Sequence, residues 1–117
     1  MIVGTCEVTF RADWVSSLKE KRMVVKSLVE KTRHKFNVSV AEVDLQDEHK
    51  MIVIGFACVS NEKRHADSQI QHILDFMEKN TEAELISAEY EVFYVYFLLK
   101  FSGKFAFYGR FSKISVL

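Results

Sequence analysis

Four basic residues share a spacing that suits binding to phosphate. Lys19, Arg22, Lys26 and Arg33 fall within about 60° of arc when 18–36 is drawn as an α-helix. A stripe of this kind can track a phosphate backbone without reading sequence. Lys21 and Lys31 are secondary candidates for the same role. The competing reading is a solvated helix face with local ion pairs, such as Glu30 with Arg33 or His34.

The other chemistry-bearing residues carry less. Glu42, Asp44, Asp47, Glu48 and His49 include the donor types of a divalent cation site. Their spacing fits no loop motif, and the glycine of a calcium loop is missing, so no metal is assigned. His65 and His72 are seven apart on one helix, with no second ligand at i+4. Cys6 and Cys58 form no C-x-x-C motif and read as buried, inert thiols. Gly4, Gly55, Gly103 and Gly109 are isolated, so no phosphate-cradling loop is present, and G-x-S-x-G and H-E-x-x-H are absent. The sequence assigns no catalytic residue and no cofactor. An enzyme or metal-binding regulator ranks third.

These side chains must be positioned by regular elements. Residues 2–11 alternate, with Ile2, Gly4, Cys6, Val8 and Phe10 on one face, which predicts a half-buried strand. Ser17 and Glu20 fit a capping box. The helix after it places Leu18, Val25, Leu28, Val29 and Phe36 on an apolar stripe, with Val24 on its flank and Asn37 as a left-handed stop. Residues 38–44 read as a strand and 45–50 as a polar connection. The run 51–60, MIVIGFACVS, reads as a central strand covered on both faces. Asn61 is the expected cap of a second helix, buried along Ala66, Ile70, Ile73, Leu74 and Met77 and ending near Asn80. Residues 83–96 read as a last strand. The order β-α-β-β-α-β predicts a ferredoxin-like α+β fold, an antiparallel sheet with two helices on one face. Its usual strand order is 4-1-3-2.

RNA-recognition modules share this element order, so the third strand was compared with their aromatic motif. Gly55, Phe56, Ala57 and Val59 match, but the basic position and two aromatic positions do not. Stacking needs exposed π-faces. Phe56 is the strand's one ring, and its neighbours by parity are core-like, so the sheet face is not the expected RNA reader.

The 117 residues fit one domain of 1–92 with an extension at 93–117. All 16 acidic residues and 12 of the 16 basic ones lie in 1–92. The extension holds Lys100, Lys104, Arg110 and Lys113, no acid, and nine of the 15 aromatic residues. Residues 94–101 and 104–111 are expected to form a hairpin about Ser102–Gly103, packed on the same domain or on a partner. The absence of a signal-like N-terminus, of a long apolar run and of a disulfide framework leads to the expectation of a cytoplasmic protein off the membrane.

SLKEKR at 17–22, KSL at 26–28, FNVSVAEVD at 36–44, QD at 46–47 and VSN at 59–61 resemble the YlxP-like family of small uncharacterised bacterial proteins. The resemblance spans roughly residues 1–92. It implies a ferredoxin-like fold and no established catalytic residue. Members are often encoded beside transcription, translation-initiation and ribosome-maturation factors, which implies a role near the ribosome or its RNA. The expected function is therefore a non-enzymatic binding protein whose partner is ribosomal RNA or the small ribosomal subunit. The alternative is an interaction module that self-associates, as a dimer first of all, through its sheet face, a sheet edge or the tail.

Overall fold

A computed structural model describes residues 1–95 and the backbone of Ile114–Val116. The elements are β1 (Ile2–Arg11), α1 (Leu18–Lys35), β2 (Ser39–Asp44), β3 (Met51–Ser60), α2 (Lys63–Lys79), β4 (Glu84–Tyr94) and β5 (Ile114–Val116). The sheet order is β2-β3-β1-β4-β5, with every neighbouring pair antiparallel. Its first four strands have the ferredoxin-like arrangement, with both helices on one face. The short β5 adds to the far side of β4, where Ile114 is paired with Glu91. The expected hairpin over 94–101 and 104–111 falls almost entirely outside the described residues.

Alternation explains why the core lies on one side. Ile2, Cys6, Val8 and Phe10 of β1 are buried toward the helices. Ile52, Ile54, Phe56 and Cys58 of β3 join them, with Ala88 and Val92 of β4. The α2 stripe Ala66, Ile70, Ile73, Leu74 and Met77 is wholly buried on this face. Gly4 is required by close approach: a Cβ there would lie 3.0 Å from Ile70 Cδ1 and 3.1 Å from Cys58 Sγ. Both thiols are free and buried. Burial, helped by the Glu7 carboxylate, pushes Cys6 up to about 12, and burial raises Cys58 against a smaller opposing pull from a backbone hydrogen bond at Gly4. Neither is a nucleophile near neutral pH.

Several local expectations are corrected. β3 is interior to the sheet, but the helices cover only one of its faces; Val59 is 65% exposed on the other. Glu62 rather than Asn61 is the N-cap of α2, and it gives no side-chain cap. Instead, Ser60 Oγ accepts from Glu62 N at 3.1 Å. Helix α1 ends at an extended Phe36, and Leu45 is the described non-glycine residue with positive φ, so Asn37 is not a left-handed stop. The capping box is displaced by one residue. Ser17 Oγ accepts from Glu20 N at 3.1 Å, while Glu20 Oε1 accepts from Ser16 N at 2.8 Å rather than from Ser17.

Candidate nucleic-acid interface

The buried stripe of α1 is Lys21, Val25, Leu28 and Thr32. It shares Val25 and Leu28 with the expected stripe but is rotated from Leu18, Val29 and Phe36, which are only partly buried. The rotation carries Lys21 inward: its side chain is 1% exposed, and its ammonium lies 3.0 Å from Glu42 Oε2. That contact is ionic and lacks hydrogen-bond geometry. The directed bond from Lys21 Nζ goes to the carbonyl of Leu45.

Alternation along β2 and the left-handed Leu45 bring these acceptors to Lys21. The β2–β3 register shifts between Glu42 and Asp44, leaving Val43 as a bulge. Val43 then lies over Gly55 on the open sheet face, where a Cβ on Gly55 would meet its Cγ1 at 2.9 Å. Glu42, paired with Ile54, stays on the helix side. Leu45 follows with φ 52°, a left-handed conformation that costs a branched L-residue about 1–2 kcal/mol. Three hydrogen bonds hold it. Asp44 Oδ1 accepts from Leu45 N at 2.8 Å, Leu45 O accepts from Glu48 N at 3.0 Å, and the same carbonyl accepts from Lys21. Lys21 thus clasps helix α1 to the hairpin. Glu42 and Asp44 serve this turn, and no group of three or more metal-ligating side chains gathers among the described residues.

The predicted stripe lies on the flank of α1 beside β2. Lys19, Arg22, Lys26 and Arg33 are all exposed. Arg33 is partly committed: its Nη2 donates to Val40 O at 3.1 Å on the edge strand β2. The expected ion pairs of Glu30 with Arg33 or His34 do not form. Lys19, Arg22 and Lys26 have no ion-pair or hydrogen-bond partner among the described residues. By contrast Lys50 donates to Asp13 O and Val15 O, and Lys79 pairs with Asp75 at 3.1 Å.

The open sheet face has the opposite character. Glu7 and Glu89 are Cα partners across β1 and β4, and Thr5 faces Glu91 in the next pair of the same parity. The Glu7–Glu89 pair disfavours phosphate beside it. A shallow 370 Å³ depression near Gly55, lined by Val43, Ala41, Ala57 and Thr5, is the main relief there. Phe56, the one ring of the third-strand motif, is 4% exposed on the helix side and offers no stacking surface.

The fold defines a small ferredoxin-like α+β protein, with Lys19, Arg22 and Lys26 exposed on its first helix and Glu7 opposite Glu89 on the open sheet face. A family profile described as a protein of unknown function, DUF503, matches residues 3–90, and the chain belongs to that family. It is also 37% identical over 68 residues to the "Uncharacterized protein YlxP" of Bacillus subtilis (strain 168), which covers 58% of this chain and 74% of that protein. The motif resemblance to the YlxP-like family is thus borne out. Neither description names a reaction, ligand or partner. No helix among the described residues is long and apolar enough to cross a membrane.

Lys21, a secondary phosphate candidate by sequence, is buried and cannot serve as a surface contact. The signal was its spacing: Lys21, Val25, Leu28 and Thr32 are i, i+4, i+7 and i+11, one helical stripe. Replacing Lys21 with Met leaves the Glu42 carboxylate without its cation and the Leu45 carbonyl short of a donor. Because Glu42 retains 17% side-chain exposure, the expected loss is about 2–4 kcal/mol in urea unfolding, at the low end for breaking a buried pair. A loss under about 0.5 kcal/mol, the ordinary range for a surface lysine, would show that the clasp carries no weight.

Proposed function

We propose that this protein is a non-catalytic RNA-associated protein that binds ribosomal RNA or the small ribosomal subunit through helix α1. The observation that carries the reading is the unpaired state of Lys19, Arg22 and Lys26 on one exposed stripe, extended by the partly committed Arg33. By contrast Lys21, Lys50 and Lys79 have intramolecular partners. The Glu7–Glu89 pair on the open sheet face disfavours a polyanion there. Cytoplasmic placement, and the gene neighbourhood that the family resemblance implies, go with this reading. Binding should be salt-dependent. The Arg22→Glu, Lys26→Glu double variant should fold normally, bind more than tenfold more weakly, and lower the log–log salt slope by about 1.5. Filter binding across a salt series reads both. A double variant that co-sediments with ribosomes as well as the unmodified protein excludes the stripe as the contact.

A second reading, without nucleic acid, is a homodimer formed through the open sheet face. It is favoured by Val43 and Val59, 46% and 65% exposed on the sheet face that the helices do not cover. Light scattering at micromolar concentration should then give a dimer mass that Val59→Glu returns to a monomer. A monomer mass for the unmodified protein rules this reading out.

A further inference from the structure

Helix α1 has a second flank, turned toward α2, that the basic stripe does not occupy. Trp14 stands at its edge. It is the chain's single tryptophan and is 46% exposed. Its loop is held firmly: Lys50 Nζ donates to Asp13 O at 2.6 Å and to Val15 O at 3.1 Å, and Ala12 N donates to Lys50 O at 2.7 Å. The neighbours Ala12 and Val15 are fully buried. An indole half out of water on a rigid support is a ready contact surface.

Trp14 borders a groove of 560 Å³ between α1 and the end of α2, lined also by Met23, Ser27, Lys31, Asn80 and Glu82. The groove combines a π-face, a hydroxyl, an amide and a cation. Asn80 Nδ2 donates to Phe76 O at 2.8 Å, leaving the amide oxygen as an acceptor. Lys31 has no ion-pair partner among the described residues, whereas Lys79 on the same rim is engaged by Asp75. Glu82 and Glu30 are the nearby carboxylates. A shallower depression lined by Met23, Lys26, Ser27, Glu30 and Lys31 crosses the crest of the helix. It gives Lys26 of the stripe and Lys31 of the groove a common rim.

We propose that this groove takes one unpaired nucleobase of a single-stranded RNA, stacked on Trp14, with the adjoining phosphate on Lys31. The inference rests on the RNA reading of α1 and adds a requirement for single-stranded, unstacked RNA. Every base has a π-face, so a lone aromatic platform binds without sequence preference. The ammonium at Lys31 complements the phosphate that must accompany the base. A protein partner fits less well, because the exposed apolar surface here is Trp14 and Met23 rather than a broad patch.

Since Trp14 is the only tryptophan, its emission reports on the groove alone. The experiment titrates the full chain with an unlabelled mixed-sequence 12-mer single-stranded RNA. A second arm uses an abasic ribose-phosphate oligomer of the same length, and fluorescence anisotropy of an end-labelled 12-mer measures binding in parallel. Saturable quenching of Trp14 by the 12-mer, absent with the abasic oligomer, is expected. Trp14→Ala should weaken 12-mer binding about tenfold with an unchanged salt slope, and Trp14→Phe should restore most of it. Thermal melts check that both variants fold. If the 12-mer binds the unmodified protein and both variants equally while Trp14 emission is constant, the groove assignment is overturned and the stripe reading stands. Equal quenching by the abasic oligomer overturns stacking. If no oligomer binds the unmodified protein, the RNA reading falls and this inference with it.

Discussion

The arrangement of this protein depends on a lysine ammonium held out of water. Burying a charge is costly unless it is paired and hydrogen-bonded, and Lys21 meets both conditions with Glu42 and the Leu45 carbonyl. The two partners come from β2 and its turn: Glu42, held on the helix side by the alternation from Val40, and Leu45, a left-handed residue that exposes its carbonyl. Neither is favourable alone. Together they place a carboxylate and a carbonyl around one cation, which fixes the rotation of α1 about its own axis. SLKEKR and FNVSVAEVD, two of the motifs behind the family resemblance, meet at this contact.

That rotation decides what the helix shows to solvent. With Lys21, Val25, Leu28 and Thr32 facing inward, Lys19, Arg22 and Lys26 stand on the flank beside β2, and Met23, Ser27 and Lys31 turn toward the groove bounded by Trp14. Shifting the helix by one position would bury part of the stripe and expose the apolar residues. Arg33 joins the two roles. One nitrogen satisfies Val40 O on the edge strand, where an open carbonyl would otherwise invite pairing, and the side chain remains exposed at the end of the stripe. The clasp and the cationic surface are therefore two faces of one packing decision.

Much of the fold was legible because periodicity is a direct consequence of one-sided burial. The alternation of β1 and the apolar line of α2 matched the buried sets residue for residue, and the element order sufficed for the ferredoxin-like sheet. The exposed stripe residues were legible for the same reason. What escaped was chemistry that contradicts type. A lysine in a core stripe reads as a surface residue until its partner is known, and Glu42 is distant in sequence and reads as an edge-strand acid. The bulge at Val43 leaves no composition signal. The lost cap at Asn61 reflects Ser60 Oγ taking the Glu62 amide one residue earlier than propensity suggests. Trp14 gave no sequence signal, because its groove is completed by the end of α2.

The clasp is tested most directly by the coupling energy between its two ends. A double-mutant cycle of Lys21→Met and Glu42→Met, followed by urea unfolding, isolates that term from the individual packing changes. Strong non-additivity is expected, with the double variant recovering about 1.5–3 kcal/mol relative to the sum of the single variants. Additivity within about 0.5 kcal/mol, the behaviour of independent sites, would contradict a clasp between helix and hairpin.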